Sequence, residues 1–314
     1  MPQGVYLHIP FCSSFCSYCD FYREPYSPQA EQAYVSALLS EIELRAAELG
    51  AQEVTSVYFG GGTPSLLHSD SWRRLFGVLR EHCRFSPDCE ISAEANPDSV
   101  DVEKLTTLRE SGVNRLSLGA QSFSNRALQA LGRRHDAAAI KRAVSLARDC
   151  DFANLSLDLL LGLPASANTM LRDDLQALLE FTPEHLSCYV LTLEGGVQLQ
   201  LAVEQGSESL PEEQQIADDY LLLAETMQCA GYEHYEISNF AKPGFACRHN
   251  LNYWQQGEYL GFGPAAVTTS GDLRSTNVPD LRGYLQALNA GKLPERETET
   301  LDDRTRCAER IMLS

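Results

Sequence analysis

Short β-branched or apolar runs alternate with longer stretches of helical spacing through the first two thirds of the chain, and this alternation constrains the fold most. The runs are VYLHIPF (5–11), VTSVYFG (54–60), CEISAEA (89–95), RLSLGAQ (115–121), NLSLDLLLGL (154–163) and HLSCYVLTL (185–193). Between them lie segments such as 33–49, 71–82, 102–111, 140–149 and 171–181, whose apolar residues recur at helical spacing. Strand and helix in regular succession predict a parallel sheet with right-handed crossovers. No GxGxxG follows the first run, so six such units fit an α/β fold of the partial (β/α)6, TIM-like barrel type better than an open nucleotide-binding sheet.

After residue 193 the pattern changes. A Gly-Gly break at 195–196 precedes a helical stretch from about 211 to 230, a Tyr-, Asn- and Gly-rich stretch from Tyr232 to Gly271, and a short helix over 280–290. The expected organisation is a barrel over 1–193 with a smaller C-terminal α+β appendage over 194–314. Ile311-Met312-Leu313-Ser314 reads as the start of a helix with no stop signal, so the appendage is expected to be cut short.

Composition narrows the function. With 44% hydrophobic residues the chain can bury a core, and a formal charge of -18 repels phosphate backbones and anionic lipid, arguing against nucleic acid as a partner. No apolar run reaches the roughly 18 to 20 residues of a membrane span, and no basic-then-apolar leader opens the sequence, so a cytoplasmic protein is expected. Seven of the ten cysteines are scattered singly, as small buried hydrophobes are.

The other three are crowded into Cys12-Ser13-Ser14-Phe15-Cys16-Ser17-Tyr18-Cys19, directly after the first strand. Tetrahedral zinc needs a fourth ligand nearby, which CDFYREPY does not supply, whereas three thiolates without a fourth suit an iron-sulfur cube with one iron open. Phe59-Gly60-Gly61-Gly62-Thr63-Pro64-Ser65 ends the second strand, either as a tight turn or as a place where backbone approaches a ligand closely.

The pattern CxxxCxxC after the first strand, with Tyr18 before the third cysteine, resembles the radical S-adenosylmethionine (SAM) family. The resemblance implies a radical SAM barrel whose cysteines Cys12, Cys16 and Cys19 hold a 4Fe-4S cluster, with SAM chelating the fourth iron and cleaved reductively to a 5'-deoxyadenosyl radical. GVNRLSLGAQSF (112–123), LGRRH (131–135) and LSLDLLLGLP (155–164) are similar to the branch containing the oxygen-independent coproporphyrinogen III oxidases (HemN) and the heme chaperones (HemW). On that resemblance Tyr6, Tyr18, Gly61, Gly62, Thr63 and Glu94 are expected to contact the cluster or SAM. Gln121, Arg133 and Asp158 match contacts to a second SAM in the oxidases. Taken singly, Gln121 and Arg133 also suit strand or helix ends, and Asp158 a satisfied core carboxylate.

Two features separate the two kinds of relative. The oxidase pattern has a further cysteine two residues beyond the third, where this chain has Phe21, and an N-terminal extension, whereas the first strand here begins at Val5. Conversely, Cys247-Arg248-His249-Asn250-Leu251-Asn252-Tyr253-Trp254 contains HNLNYW, similar to the HNxxYW heme motif of the chaperones. The resemblance implies His249 as an axial heme ligand, Tyr253 and Trp254 as packing residues, and Cys247 as an alternative thiolate; a turn capped by Asn250 is the plainer reading. Val267 stands where the chaperones commonly have histidine, and Ala165 replaces a usual glycine. The expected function is heme binding and transfer to an acceptor protein, with an electron donor serving the cluster. Coproporphyrinogen III oxidation and a non-catalytic iron-sulfur scaffold are the alternatives.

Overall fold

A computed structural model describes residues 3–194 and 196–313. In chain order the strands are β1 (Gln3–Ile9), β2 (Phe11–Cys12), β3 (Glu24–Pro25), β4 (Glu53–Gly61), β5 (Arg84–Ala95), β6 (Arg115–Gln121), β7 (Asn154–Leu161), β8 (His185–Val190), β9 (Glu233–Glu236), β10 (Asn239–Ala241), β11 (Tyr259–Phe262), β12 (Val267–Ser270), β13 (Leu273–Asn277) and β14 (Glu295–Thr300). The six expected strands are β1 and β4 to β8, and each pairs in parallel with the next. Together with the crossover helices they form the partial (β/α)6 barrel.

The appendage extends both edges of this sheet. Strand β11 adds in parallel to β1 and leads into antiparallel β12, β13 and β14, while β10 and β9 add antiparallel beyond β8. The result is a sheet of twelve strands, with β2 and β3 forming a separate ribbon that carries the start of the cysteine loop.

Element ends follow local chemistry. The first helix starts at Pro28, five residues before the expected segment, because Ser27 caps it by accepting from the Ala30 amide and Pro28 fills the first turn. Strand β7 stops at Leu161, where Gly162 turns to φ +74°. The C-terminal segment is a ten-residue helix, Asp303–Met312, capped by Asp302. HNLNYW lies in a short helix, Arg248–Trp254, where the plainer reading expected a turn.

The barrel strands are buried on both faces. Val57, Phe59, Leu116, Leu118, Leu155, Leu157 and Leu159 belong to the outer core under the helices, where Phe59 packs on Trp72 and Phe76 at centroid distances of 4.7 and 5.3 Å. The alternate positions face the lumen and are mostly polar: Tyr6 and His8, Ser56 and Tyr58, Glu90, Ser92 and Glu94, Arg115, Ser117 and Gln121, Ser156 and Asp158, His185, Ser187 and Tyr189.

Candidate functional site

Cys12, Cys16 and Cys19 come together at the carboxyl end of β1. They line a cavity of about 70 Å³ shared with Gly61, Gly62, Thr63, Asn96 and Arg133. All three are free and half-buried, and burial raises the thiols of Cys12 and Cys19. Thr63 Oγ1 donates to Cys12 Sγ at 3.8 Å, and Arg133 Nη1 to Cys16 Sγ at 3.3 Å. Among the described residues no three His, Cys, Asp or Glu side chains converge on a point where one metal ion would sit. Three thiols around one cavity, with a guanidinium and a hydroxyl donating to sulfur, fit an anionic iron-sulfur cluster.

The glycine turn first serves the chain itself. A Cβ on Gly62 would lie 2.6 Å from the Phe11 carbonyl oxygen and 2.9 Å from that of Ile9, and one on Gly61, at φ +106°, would strike the His8 ring at 2.6 Å. Gly62 and Thr63 donate their amides to the Ile9 and Phe11 carbonyls, both at 2.7 Å. Glycine is thus required so that the end of β4 can buttress the strand and loop carrying the cysteines. Gly61, Gly62 and Thr63 still present their outer sides to the cavities.

A second cavity, of about 480 Å³, opens beside the first and reaches into the lumen. Tyr18, Gly61, Gly62, Thr63, Glu94, Gln121, Arg133 and Asp158 all line it, so the geometry gathers eight of the nine residues expected to contact SAM. Glu94 accepts from the Tyr58 hydroxyl at 2.8 Å; burial, aided by the Asp158 charge, pushes its carboxyl up to about 7. Asp158 accepts from Ser117 at 2.9 Å and from Ser156 at 3.3 Å, and burial raises it too. Arg133 Nη2 donates to Asn96 Oδ1 at 2.6 Å and to the Gly119 carbonyl at 3.1 Å, linking the cluster loop to β5 and β6. Gln121 adopts φ +65° where the register of β6 against β7 shifts, a strained conformation in a cavity wall. Tyr6 is the exception: half-buried deeper in the lumen, it stacks near Tyr58 and bonds His8 Nδ1 at 3.1 Å.

The heme-motif residues lie at the other end of the lumen. His249 is 1% exposed, with Nδ1 bonded to Ser56 Oγ and Nε2 to Tyr253 Oη, both at 2.9 Å. Burial holds it neutral, at about 3, and Arg115 adds to the effect. Both ring nitrogens are thus bonded within the chain, and ligation of an iron, as the motif leads one to expect, would break one of these bonds. Cys247 is fully buried, donates Sγ to Glu90 Oε1 at 3.3 Å and is pushed up to about 12, which makes it a poor source of thiolate. Glu90 also accepts from the Arg248 and His249 amides, at 3.1 and 3.4 Å, so the helix docks on the lumen floor. Tyr253 borders an apolar cavity of about 410 Å³ with Tyr259, Arg274, Leu301, Arg306 and Met312, while Trp254 is half-buried outside these cavities. Val267 sits on β12, outside both mouth cavities.

Tyr58, Glu90, Asn96, Arg115, Ser117, Ser187 and Tyr189 belong to this lumen and were not singled out as site residues. Their signal was available: polar residues recur at every second position in five successive strands, on the side that an ordinary strand would give to its core.

Comparison with known proteins agrees with this geometry. The radical SAM superfamily model matches residues 6–178. A protein named heme chaperone HemW from Mycobacterium tuberculosis is 38% identical over 305 residues, covering 96% of this chain and 78% of that one. HemW proteins of Bacillus subtilis and Escherichia coli are 34% and 37% identical, covering 99% and 91% of this chain and 82% and 76% of theirs. The solved structure of coproporphyrinogen III oxidase (HemN) from Escherichia coli, described as a radical SAM enzyme, superposes with a TM-score of 0.84 at 26% identity, covering 99% of this chain and 74% of that one. The chain therefore belongs to the radical SAM superfamily and, within it, to the HemW family.

Proposed function

We propose that the protein is a heme chaperone: it binds heme and passes it to an acceptor protein, with a SAM-coordinated 4Fe-4S cluster at the barrel mouth. Cys12, Cys16 and Cys19 would hold the cluster, and the residues lining the larger cavity would hold SAM. When bound, the cluster supplies one-electron chemistry toward SAM. Arg133 and Thr63 stabilise charge on the sulfurs, and Glu94, an acceptor at the cavity wall, suits a pair of ribose hydroxyls. An electron donor then completes the system. Ten free cysteines, three of them committed to the cluster, fit the reducing cytoplasm.

The observation that carries this reading over the oxidase is the apolar cavity beside Tyr253. It offers apolar walls for a macrocycle, with Arg274, paired with Glu309, and Arg306, paired with Asp272, at its edge. The likeness to HemN keeps oxidation as the second reading.

The test is an anaerobic hemin titration of cluster-reconstituted protein, read in the visible spectrum, with coproporphyrinogen turnover assayed on the same sample. Saturable binding near one equivalent, heme transfer to an apo-acceptor and no turnover are expected. Turnover without stable heme binding would overturn the proposal in favour of the oxidase.

A further inference from the structure

The HNLNYW helix and the carboxylate Glu94 occupy opposite ends of the lumen, and one stack of rings joins them. The His249 ring lies against Tyr58, with centroids 5.3 Å apart and planes inclined by 25°, and against Tyr6 at 6.2 Å and 25°. Tyr6 and Tyr58 stack on each other at 6.3 Å. The far end of Tyr58 is its hydroxyl, which donates to Glu94. A tyrosine ring held on its face by another ring has little freedom left in its two torsions, so the orientation of His249 fixes where the Tyr58 hydroxyl stands.

His249 is itself held. Ser56 and Tyr253 fix its plane through both nitrogens, and its backbone amide is anchored on Glu90. Slack is also missing on the other side of Tyr58. A Cβ on Gly60 would meet Tyr58 Cε1 at 3.0 Å, Glu94 Oε1 at 3.2 Å and Tyr6 Cε2 at 3.2 Å, so these three groups close on one point of the β4 backbone. A displacement of the histidine therefore passes to Glu94, because no gap absorbs it.

We propose that His249 is a positioning residue for Glu94, acting through Tyr58, so that the floor helix sets the affinity of the mouth cavity for SAM. The proposal rests on the reading of Glu94 as the acceptor for the SAM ribose. It gives the HNLNYW helix a role at the SAM site that needs no iron bound to His249. It also couples the two ends of the barrel: a ligand that draws His249 off Tyr58 weakens SAM binding, and SAM opposes that withdrawal by the same factor.

The test is a double-mutant cycle on cluster-reconstituted protein. SAM dissociation constants are measured by equilibrium dialysis, and the change that SAM causes in the electron paramagnetic resonance spectrum of the reduced cluster is recorded. His249→Ala and Tyr58→Phe are each expected to weaken SAM binding by about five- to twentyfold. The double variant should be no weaker than the worse single variant, because one line of action has been cut twice. His249→Gln, whose flat amide restores stacking, should recover part of the loss. With Gln121→Ala, on the other wall, His249→Ala should combine multiplicatively, which separates positioning from general loosening of the barrel. If His249→Ala compromises folding, Ser56→Ala and Tyr253→Phe release the plane of the ring without removing it and should weaken SAM binding severalfold. Unchanged affinity in the folded His249 variant, or full multiplicativity with Tyr58→Phe, would overturn the proposal. Glu94→Gln distinguishes the two levels: if SAM binding ignores that change, the ribose reading itself has failed.

Discussion

Replacing Gly62 by alanine tests whether the glycine turn exists for a ligand or for the chain. The new Cβ would stand 2.6 Å from the Phe11 carbonyl oxygen, 2.9 Å from the Ile9 carbonyl oxygen and 2.9 Å from the Pro10 carbonyl carbon, all of them backbone atoms that no rotamer change can clear. To restore ordinary contact with Phe11 the two segments must part by about 0.8 Å. That stretches the Gly62 to Ile9 and Thr63 to Phe11 hydrogen bonds from 2.7 Å to the edge of bonding range. Overpacking a close-packed site costs about 1–3 kcal/mol, and weakening two buried backbone bonds adds about 1 kcal/mol each. The expected loss is therefore about 3–5 kcal/mol, a large share of the roughly 5–15 kcal/mol that holds a domain folded. The assay is urea unfolding of the cluster-free protein, so that no ligand contributes. Gly77→Ala is the internal control: it lies inside the helix Ser69–His82 with no atom within 4 Å of the added Cβ, and should raise stability by about 0.5–1 kcal/mol. A Gly62→Ala protein that unfolds at the parental midpoint would refute the reasoning and return the turn to a purely ligand-facing role.

Serine at Cys12, Cys16 or Cys19 should each abolish iron retention after anaerobic reconstitution, whereas serine at the buried Cys188 should leave iron content unchanged; iron and sulfide analysis decides. Arg133→Ala should lower cluster retention and cost about 2–3 kcal/mol of stability, because it strips a cation from Cys16 Sγ and leaves Asn96 Oδ1 and the Gly119 carbonyl without their donor; an unchanged rate of iron loss to a chelator would contradict this. Glu94, at about 7 when folded against 4.5 as its ordinary value, gives the native state the extra proton between those values, so its contribution to stability falls as pH rises through that window, and Glu94→Gln should remove that slope. His249 works in the opposite sense: with its folded value near 3 against 6.5, it contributes stability above pH 6.5 that is lost as pH falls toward 3, and melting temperatures of His249→Gln across pH 4–7 should show a shallower acid decline.

Much of the fold was legible because its signal is local. Each barrel strand is a short run bounded by glycine or a helix cap, and the cysteine loop follows the first strand directly. The pairing of β11 with β1 was not legible: more than 240 residues separate the partners, and a four-residue strand carries no mark of its neighbour. The residues of the larger cavity were legible through the family resemblance, and Gly61, Glu94 and Gln121 also through their place at strand ends, where a barrel puts its site. Those deeper in the lumen are hidden because a short apolar run marks a strand without saying which of its alternate positions points inward, and here the polar ones do. The HNLNYW segment reads as a heme-like motif or a turn, not as a buried helix: His249 is among the most buried residues because its partners Ser56 and Glu90 lie on strands about 160 to 190 positions away.

A barrel with a polar lumen and six strands does not close on itself, and this sets how the two parts of the chain depend on each other. Removing residues 194–314 would expose the free edges of β1 and β8, which now pair with β11 and β10. It would also open the floor to water where Glu90 accepts the Arg248 and His249 amides and where His185 bonds Tyr235 at 2.7 Å. Arg115, fully buried beside the Glu90 carboxylate, would lose part of that surrounding. On the other flank, Glu41 accepts from the Tyr284 hydroxyl at 2.6 Å, the Gly263 amide at 2.8 Å and Asn277 Nδ2 at 2.8 Å, so excision strands a buried carboxylate on the first helix with none of these donors. An unpaired buried charge costs about 3–5 kcal/mol by itself, a large share of the roughly 5–15 kcal/mol that holds a domain folded, and the two bared strand edges invite pairing with other chains. Residues 1–193 expressed alone should therefore aggregate or show no cooperative thermal transition. Monomeric 1–193 with a sharp transition near that of the full chain would mean that the appendage caps a barrel already complete without it.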